Sequence, residues 1–182
     1  MNTNSVTFLV WTDNSPGVLL RLSTLFTRRK INIESLTVSE TENEGLSRFT
    51  VTTQIDTVTA ATIGRQIERM IEAKRVFVFA EPDVIHREVA MIRVSLPPHQ
   101  ETRILSKHRG GQVLHRGSRG TLFQFTGTEA EISKVVSSLH PYGITEFVRS
   151  GRIAVTPDGE YDKDLSRSIH LLRPGASEGP DM

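Results

Sequence analysis

Residues 5–38 read SVTFLVWTDNSPGVLLRLSTLFTRRKINIESLTV, and the order of patterns in this stretch decides the fold. Residues 5–11 are dense in Val, Phe, Leu and Trp and predict a strand. Asp13-Asn14-Ser15-Pro16-Gly17 breaks it with residues suited to cap a helix and a proline suited to open one. From Val18 the apolar residues Val18, Leu22, Leu25 and Phe26 fall at helical spacing, so one face is expected to be buried. Arg28, Arg29 and Lys30 close that helix, where cations meet its negative end favourably. Residues 31–40 predict a second strand. Ile31 and Ile33 stand on one parity and Leu36 and Val38 on the other, which a bulge or burial on both faces would explain.

Working outward, residues 46–54 predict a strand with Phe49 and Val51 alternating. Residues 57–73 predict a helix with Ile63, Ile67, Met70 and Ile71 on one stripe, and 75–80 (RVFVFA) a strand. The order is βαββαβ. After Glu81-Pro82-Asp83 the same order repeats: strand 84–94, helix 97–108, strands 112–116 and 121–126, helix 129–139 and strand 144–156, interrupted at Ser150-Gly151. The expected class is α+β, two tandem ferredoxin-like sandwiches over residues 5–81 and 83–157, with a mobile tail over 158–182. Apolar residues of both parities in the strands imply that the second sheet face is covered, most simply by another subunit, so a homodimer is expected.

Composition narrows the function. A net charge of +1 gives no global attraction to nucleic acid or an anionic membrane. Cysteine is absent, which removes disulfides, thiolate metal sites and a cysteine nucleophile. No stretch approaches the roughly 20 apolar residues of a membrane span, and the first residues turn polar too soon for a secretion signal, so a cytoplasmic soluble protein is expected.

Catalytic chemistry finds no support. The histidines His86, His99, His108, His115, His140 and His170 are scattered; only His108 and His115 face one another across a possible turn. No phosphate loop, nucleophile elbow or dinucleotide fingerprint occurs. The cluster Lys107, His108, Arg109, His115, Arg116 and Arg119, with Phe123 and Phe125 alternating on one strand, hints at nucleic acid, but the glycine-aromatic run of RNA-recognition modules is missing. The informative segment is Asn14–Leu19. A loop entering a helix N-terminus presents unpaired amides and partial positive charge, a seat for a carboxylate. Gly17 permits close approach to the backbone, and the Asn14 amide offers both donor and acceptor, as an amino acid's two charged ends require. Asn32, polar among isoleucines, is a second candidate contact. Equally, Asn14 could simply cap the helix and Asn32 simply end a turn.

Residues 14–38, NSPGVLLRLSTLFTRRKINIESLTV, closely resemble the N-terminal ACT domain of acetolactate synthase small subunits; the run INIESLTV (31–38) followed by LSRFTV (46–51) is specific to them. HREVAMIRV (86–94) and RSGRIAV (149–155) resemble the C-terminal domain of the same family, while 97–119 match it poorly. The resemblance implies an ACT-domain homodimer whose interface binds valine, or a related branched-chain amino acid, as feedback inhibitor. It places the effector against Asn14, Gly17 and Val18 of one subunit and Asn32 and Ile33 of the other. It further implies a partner, the catalytic large subunit, which holds thiamine diphosphate, Mg²⁺ and FAD; no cofactor and no catalytic residue is expected in this chain, nor a nucleic-acid or membrane partner. The alternatives are a stand-alone amino-acid sensor of the ACT type and an RNA-binding module. Two departures stand out: Lys30 occupies the position usually held by glycine after the first helix, and Ile31 that of an aromatic. A left-handed backbone at Lys30 would cost about 1 kcal/mol that glycine avoids.

Overall fold

The computed structural model describes residues 4–81, 83–156 and the pair 169–170. They fall into two compact units, one running to Ile85 and rejoined from Ala154 onward, the other His86–Ile153. Both have the expected βαββαβ order.

In the first unit the elements are β1 (Asn4–Asp13), α1 (Val18–Thr27), β2 (Ser35–Glu40), β3 (Leu46–Ile55), α2 (Thr57–Glu68) and β4 (Ala73–Ala80). The sheet order is β4-β1-β3-β2, with Ile169–His170 adding a short strand parallel to β4 at its outer edge. That pair is the only part of the 158–182 tail among the described residues. Val6, Phe8 and Val10 from β1 and Phe49 and Val51 from β3 meet Val18, Leu22 and Phe26 of α1 and Ile63 and Ile67 of α2 in one core. Phe8 and Phe26 meet edge to face, with centroids 5.4 Å apart. The opposite sheet face, expected to need another subunit, packs Leu9 and Phe77 against Val84 and Ala154 of the same chain. A second copy is therefore not required to cover this face.

Several element boundaries differ from the sequence expectation, each for a physical reason. Residues 31–33 are not strand, and β2 begins at Ser35. Ile31 and Ile33 instead pack against the core from a loop, which accounts for the parity shift; β2 and β3 run in continuous register without a bulge. Helix α2 stops at Glu68, so Ile71 lies off the stripe and is 84% exposed. Helix α1 stops at Thr27, leaving Arg28, Arg29 and Lys30 beyond its last turn. There the chain closes a Schellman motif: the Ile31 amide donates to the Phe26 carbonyl (3.1 Å) and the Lys30 amide to the Thr27 carbonyl (2.9 Å). This geometry needs a left-handed residue, and Lys30 supplies it at φ 57°.

The second unit contains β5 (Ile85–Val94), α3 (Pro98–Lys107), β6 (Gly111–Gly117), β7 (Gly120–Gly127), α4 (Glu129–Leu139) and β8 (Ile144–Arg149), with β9 (Ile153–Val155) following after a break at residues 150–152. Its sheet order is β6-β7-β5-β8. Ala90, Ile92, Val94, Phe123 and Phe125 meet Ile104, Ile132, Val135 and Leu139 in the core. Thr128 and Glu131 form a complete capping box at the start of α4. Glu101, 6% exposed, accepts from Arg116 Nε and Nη2 (2.9 and 2.8 Å) and from Thr121 Oγ1 (2.7 Å). Those bonds, Arg116 first, hold its carboxyl below the ordinary value.

Replacing Lys30 by glycine should relieve the left-handed strain and raise stability by about 0.5–1 kcal/mol, the gain being trimmed by the freer unfolded chain. Urea unfolding should show a higher midpoint at unchanged slope. For Glu101, whose folded-state pKa is depressed, the stabilisation is present above its unfolded-state pKa and is lost as pH falls through the folded one. Glu101→Gln should therefore cost about 1–3 kcal/mol at pH 7. The gap from wild type should close as both proteins are titrated through the acid range below about pH 4.

Candidate functional site

The turn between β1 and α1 is held from below by backbone bonds. The Asp13 amide donates to the Glu72 carbonyl (2.9 Å) and the Asn14 amide to the Gly45 carbonyl (2.7 Å). Asp13 also pairs with Lys74 at 2.8 Å. Gly17 then turns the chain into the helix at φ 86°, a conformation in which glycine pays no Cβ penalty.

No side chain caps α1, and its first turn carries no acidic residue. Asn14, a candidate cap, turns its Nδ2 toward Glu40 Oε1 at 3.4 Å instead. The first intrahelical bond runs from the Arg21 amide to the Gly17 carbonyl (3.0 Å), so the amides of Val18, Leu19 and Leu20 precede the helical ladder. The result is an exposed loop leading into an uncompensated positive helix end. Asn14 and Gly17 are exposed, whereas the Val18 side chain is 2% exposed and belongs to the core. Val18 can thus offer a ligand only its main-chain amide.

Arg21 is a residue that sequence reasoning did not single out. A Cβ built on Gly17 would lie 3.2 Å from Arg21 Nη1, which places the guanidinium over the loop. Glu72 holds it there through a 2.5 Å ion pair. Its signal was simple helical spacing, four residues after Gly17 on the same face.

Asn32 and Ile33 lie past the other end of the helix. Asn32 is exposed, and its carbonyl accepts from Thr53 Oγ1 at 2.8 Å; Ile33 is half-buried against the core. Helix α1 has 10 residues, so its two ends are about 15 Å apart. Within one chain the structure brings Asn14, Gly17 and Val18 together, and it keeps Asn32 and Ile33 away from them. Between the two groups the exposed face of α1 carries Leu19 (44%) and Leu20 (70%). Strand β2 forms the sheet edge beside it with Val38 45% exposed.

Among the described residues no group of three or more His, Asp or Glu is placed to hold a metal ion. Phe123 and Phe125, which a base-stacking surface would need exposed, are 0% and 1% exposed in the core, which removes the main support for RNA binding. The two C-terminal stretches that resemble the family meet in space. Glu88, 2% exposed, is faced by Arg149 (3.2 Å) and Arg152 (3.3 Å), and Arg152 also reaches Glu129. Ser150 Oγ accepts from the Val89 amide at 2.9 Å between them. Periodicity could not show this network, because Arg152 stands 64 residues from Glu88 and 23 from Glu129 in sequence. Among the described residues no helix is long and apolar enough to cross a membrane.

Two tandem ferredoxin-like units, the first with a glycine-led loop at an uncapped helix, define an ACT-type protein. Residues 8–73 match the AHAS small subunit-like ACT domain, and residues 87–157 match the family described as small subunit of acetolactate synthase. A probable acetolactate synthase small subunit from Archaeoglobus fulgidus is 34% identical over 151 residues, 82% of this chain and 94% of the relative. The acetolactate synthase small subunit of Mycolicibacterium smegmatis is 30% identical over 152 residues, 82% and 89% of the two chains. The crystal structure of acetolactate synthase small subunit from Thermotoga maritima superposes with a TM-score of 0.73 at 28% identity, covering 84% of this chain and 96% of that one. The chain belongs to the acetolactate synthase small-subunit family.

Because Gly17 sits in the left-handed region and its only close neighbour is the flexible end of Arg21, any side chain there meets backbone strain more than a clash. Gly17→Ala should lower stability by about 1 kcal/mol and leave the circular dichroism spectrum unchanged.

Proposed function

We propose that this chain is the regulatory subunit through which valine, or a related branched-chain amino acid, inhibits an acetolactate synthase catalytic subunit, and that it also raises that partner's activity when no effector is bound. The membership of the family supports the partner. Thiamine diphosphate, Mg²⁺ and FAD belong, in this reading, to the catalytic subunit.

The observation that carries the effector site is the separation of its two halves by the length of α1. One amino acid cannot touch Asn14 and Asn32 of the same chain. A two-fold dimer resolves this. If two copies lay their α1 helices antiparallel, side by side, the loop at Gly17 of each would meet the loop at Asn32 of the other, giving two equivalent sites. The exposed Leu19 and Leu20 and the open edge of β2 lie along the surface that such a dimer would cover. The effector carboxylate would take the first amides of α1 near Arg21, and its ammonium the carbonyl oxygens of the Asn14 and Asn32 side chains. The branched side chain would then lie against the apolar flank of the helix pair.

Bound between two copies, the effector favours one relative placement of them, and the catalytic subunit reads that placement. Linkage makes the coupling reciprocal: the catalytic subunit must change effector affinity by the same factor, typically about 5–150-fold.

Thermal unfolding with valine, leucine, isoleucine and a lysine control tests the site. At 100 times its dissociation constant, a ligand bound only by the folded state adds about 2.7 kcal/mol. Gly17→Asp, which puts a carboxylate where the effector's must sit, should abolish the branched-chain shift, and so should Asn32→Ala. Mixing the two inactive variants should then restore binding in about a quarter of the sites, because only mixed dimers assemble one intact pair of halves. No restoration after exchange of subunits would exclude a site shared between chains.

A further inference from the structure

The basic cluster that the sequence places at residues 107–119 is not used by the proposed function, and the structure divides it. Arg116 is taken by Glu101, and Arg119 lines a separate cavity with Arg93 and Glu146. Lys107, His108 and Arg109 stay together where α3 ends, and α4 brings Lys134 to join them. Two adjoining cavities of about 280 and 450 Å³ share Lys107, His108 and Lys134 in their walls. The larger is edged by Ser133, Ser137 and Ser138, with Ser137 Oγ donating to the Ser133 carbonyl at 2.9 Å.

The loop that carries this cluster is clamped to β7. Gly110, at φ +80°, lies so close that a Cβ would stand 2.5 Å from the Thr126 carbonyl oxygen, and one on Gly111 would stand 2.4 Å from the Phe125 ring. The Thr126 amide donates to the Gly110 carbonyl at 3.0 Å. His108 sets its ring edge-on to Phe125, with centroids 6.3 Å apart. Burial, with the nearby Lys107 charge, lowers the His108 pKa, so the imidazole is neutral near pH 7. The positive charge of the hollow therefore comes from Lys107, Arg109 and Lys134. Lys107 donates only to Ser138 Oγ, at 3.5 Å, and none of the three has an ion-pair partner among the described residues. Glu131 is the acidic residue in the wall: its Oε2 accepts the Thr128 amide at 2.7 Å, and its carboxylate stays ionised with Lys134 nearby, offsetting only part of the cluster's charge.

Three exposed cations around one hollow, against the single carboxylate of Glu131 in its wall, leave a net positive surface that favours an anion. A phosphate group, with about −1.5 to −2 charges near neutral pH, matches them better than a single carboxylate. The cavities are of the size that takes a small molecule, and the neighbouring aromatics Phe123 and Phe125 are buried rather than displayed for bases. We propose that the hollow between the end of α3 and the face of α4 binds a small phosphate-bearing molecule, gripped by Lys107, Arg109 and Lys134 with the α4 serine hydroxyls.

The full chain would be titrated with pyrophosphate at constant ionic strength, by calorimetry and by NMR of the His108 ring. The expected result is saturable binding of one pyrophosphate per chain, with the His108 resonances shifting and its titration midpoint rising as the Lys107 charge is neutralised. Lys107→Gln and Lys134→Gln should each weaken binding by about tenfold or more. Both side chains are exposed, so the variants should keep the wild-type melting temperature. Arg93→Gln, in the separate cavity, should bind as wild type. The proposal is overturned if sodium chloride of equal ionic strength reproduces the response, or if both lysine variants bind normally. It is also overturned if a single-stranded oligonucleotide binds through these residues while pyrophosphate does not saturate.

Discussion

Helix α1 is held at both ends by left-handed residues, Gly17 at φ 86° and Lys30 at φ 57°, with Val18, Leu22 and Phe26 fixed in the core between them. The rest of the first unit follows from that arrangement. The turn at Gly17 directs the first helical amides outward, where no side chain caps them. The Schellman turn at Lys30 returns the chain to the sheet, so that Ile31 and Ile33 enter the core and Asn32 between them is left outside. A buried stripe sets the rotation of the helix, and its length sets the distance between the loop at Gly17 and the loop at Asn32. The separation of these two loops is thus a direct consequence of how the core is packed.

The second unit distributes its charges in a different way. Carboxylates that lose solvent do so with cations already in place: Glu88 between Arg149 and Arg152, Glu101 against Arg116 and Thr121. Removing the cation from such a pair leaves a buried carboxylate without its partner, which costs far more than an exposed pair contributes. The Arg149–Arg152 segment is pinned to β5 by these bonds and by Ser150, whose amide donates to the Val89 carbonyl at 2.8 Å. Lys107, Arg109 and Lys134 differ in closing no direct ion pair of this kind among the described residues, although Lys134 lies near enough to the Glu131 carboxylate to help keep it ionised.

Much of the fold was legible in the sequence because helices and strands are read from local periodicity. The α1 stripe, the α4 stripe and the order of both units follow from spacing alone. The errors fall where local pattern and tertiary context compete. Ile31 and Ile33 look like strand residues but are the hydrophobic closure of a helix cap. Ile71 continues a helical spacing past the point where α2 ends. Two capping signals also stand in the sequence: Asp56, whose side chain caps α2 through Thr59, and the Thr128-x-x-Glu131 capping box of α4. In the candidate site, Asn14, Gly17 and Asn32 could be named from the sequence. That Val18 offers only its amide, and that Arg21 leans over Gly17, could not.

The sequence by itself determined the class of fold, the faces that its helices bury, the glycine-led loop and the family, since each is written in neighbouring residues or short spacings. Tertiary structure alone decided that Ile31 and Ile33 turn inward against the core while Asn32 between them stays exposed. It also decided that Glu88 meets arginines from the far end of its unit, and that a run of basic residues divides among an ion pair and separate cavities. These depend on strand register and on which surfaces meet, and a one-residue change in register exchanges the buried and exposed faces of a strand. Local propensity carries no information about that choice; the simultaneous burial of all the apolar stripes makes it.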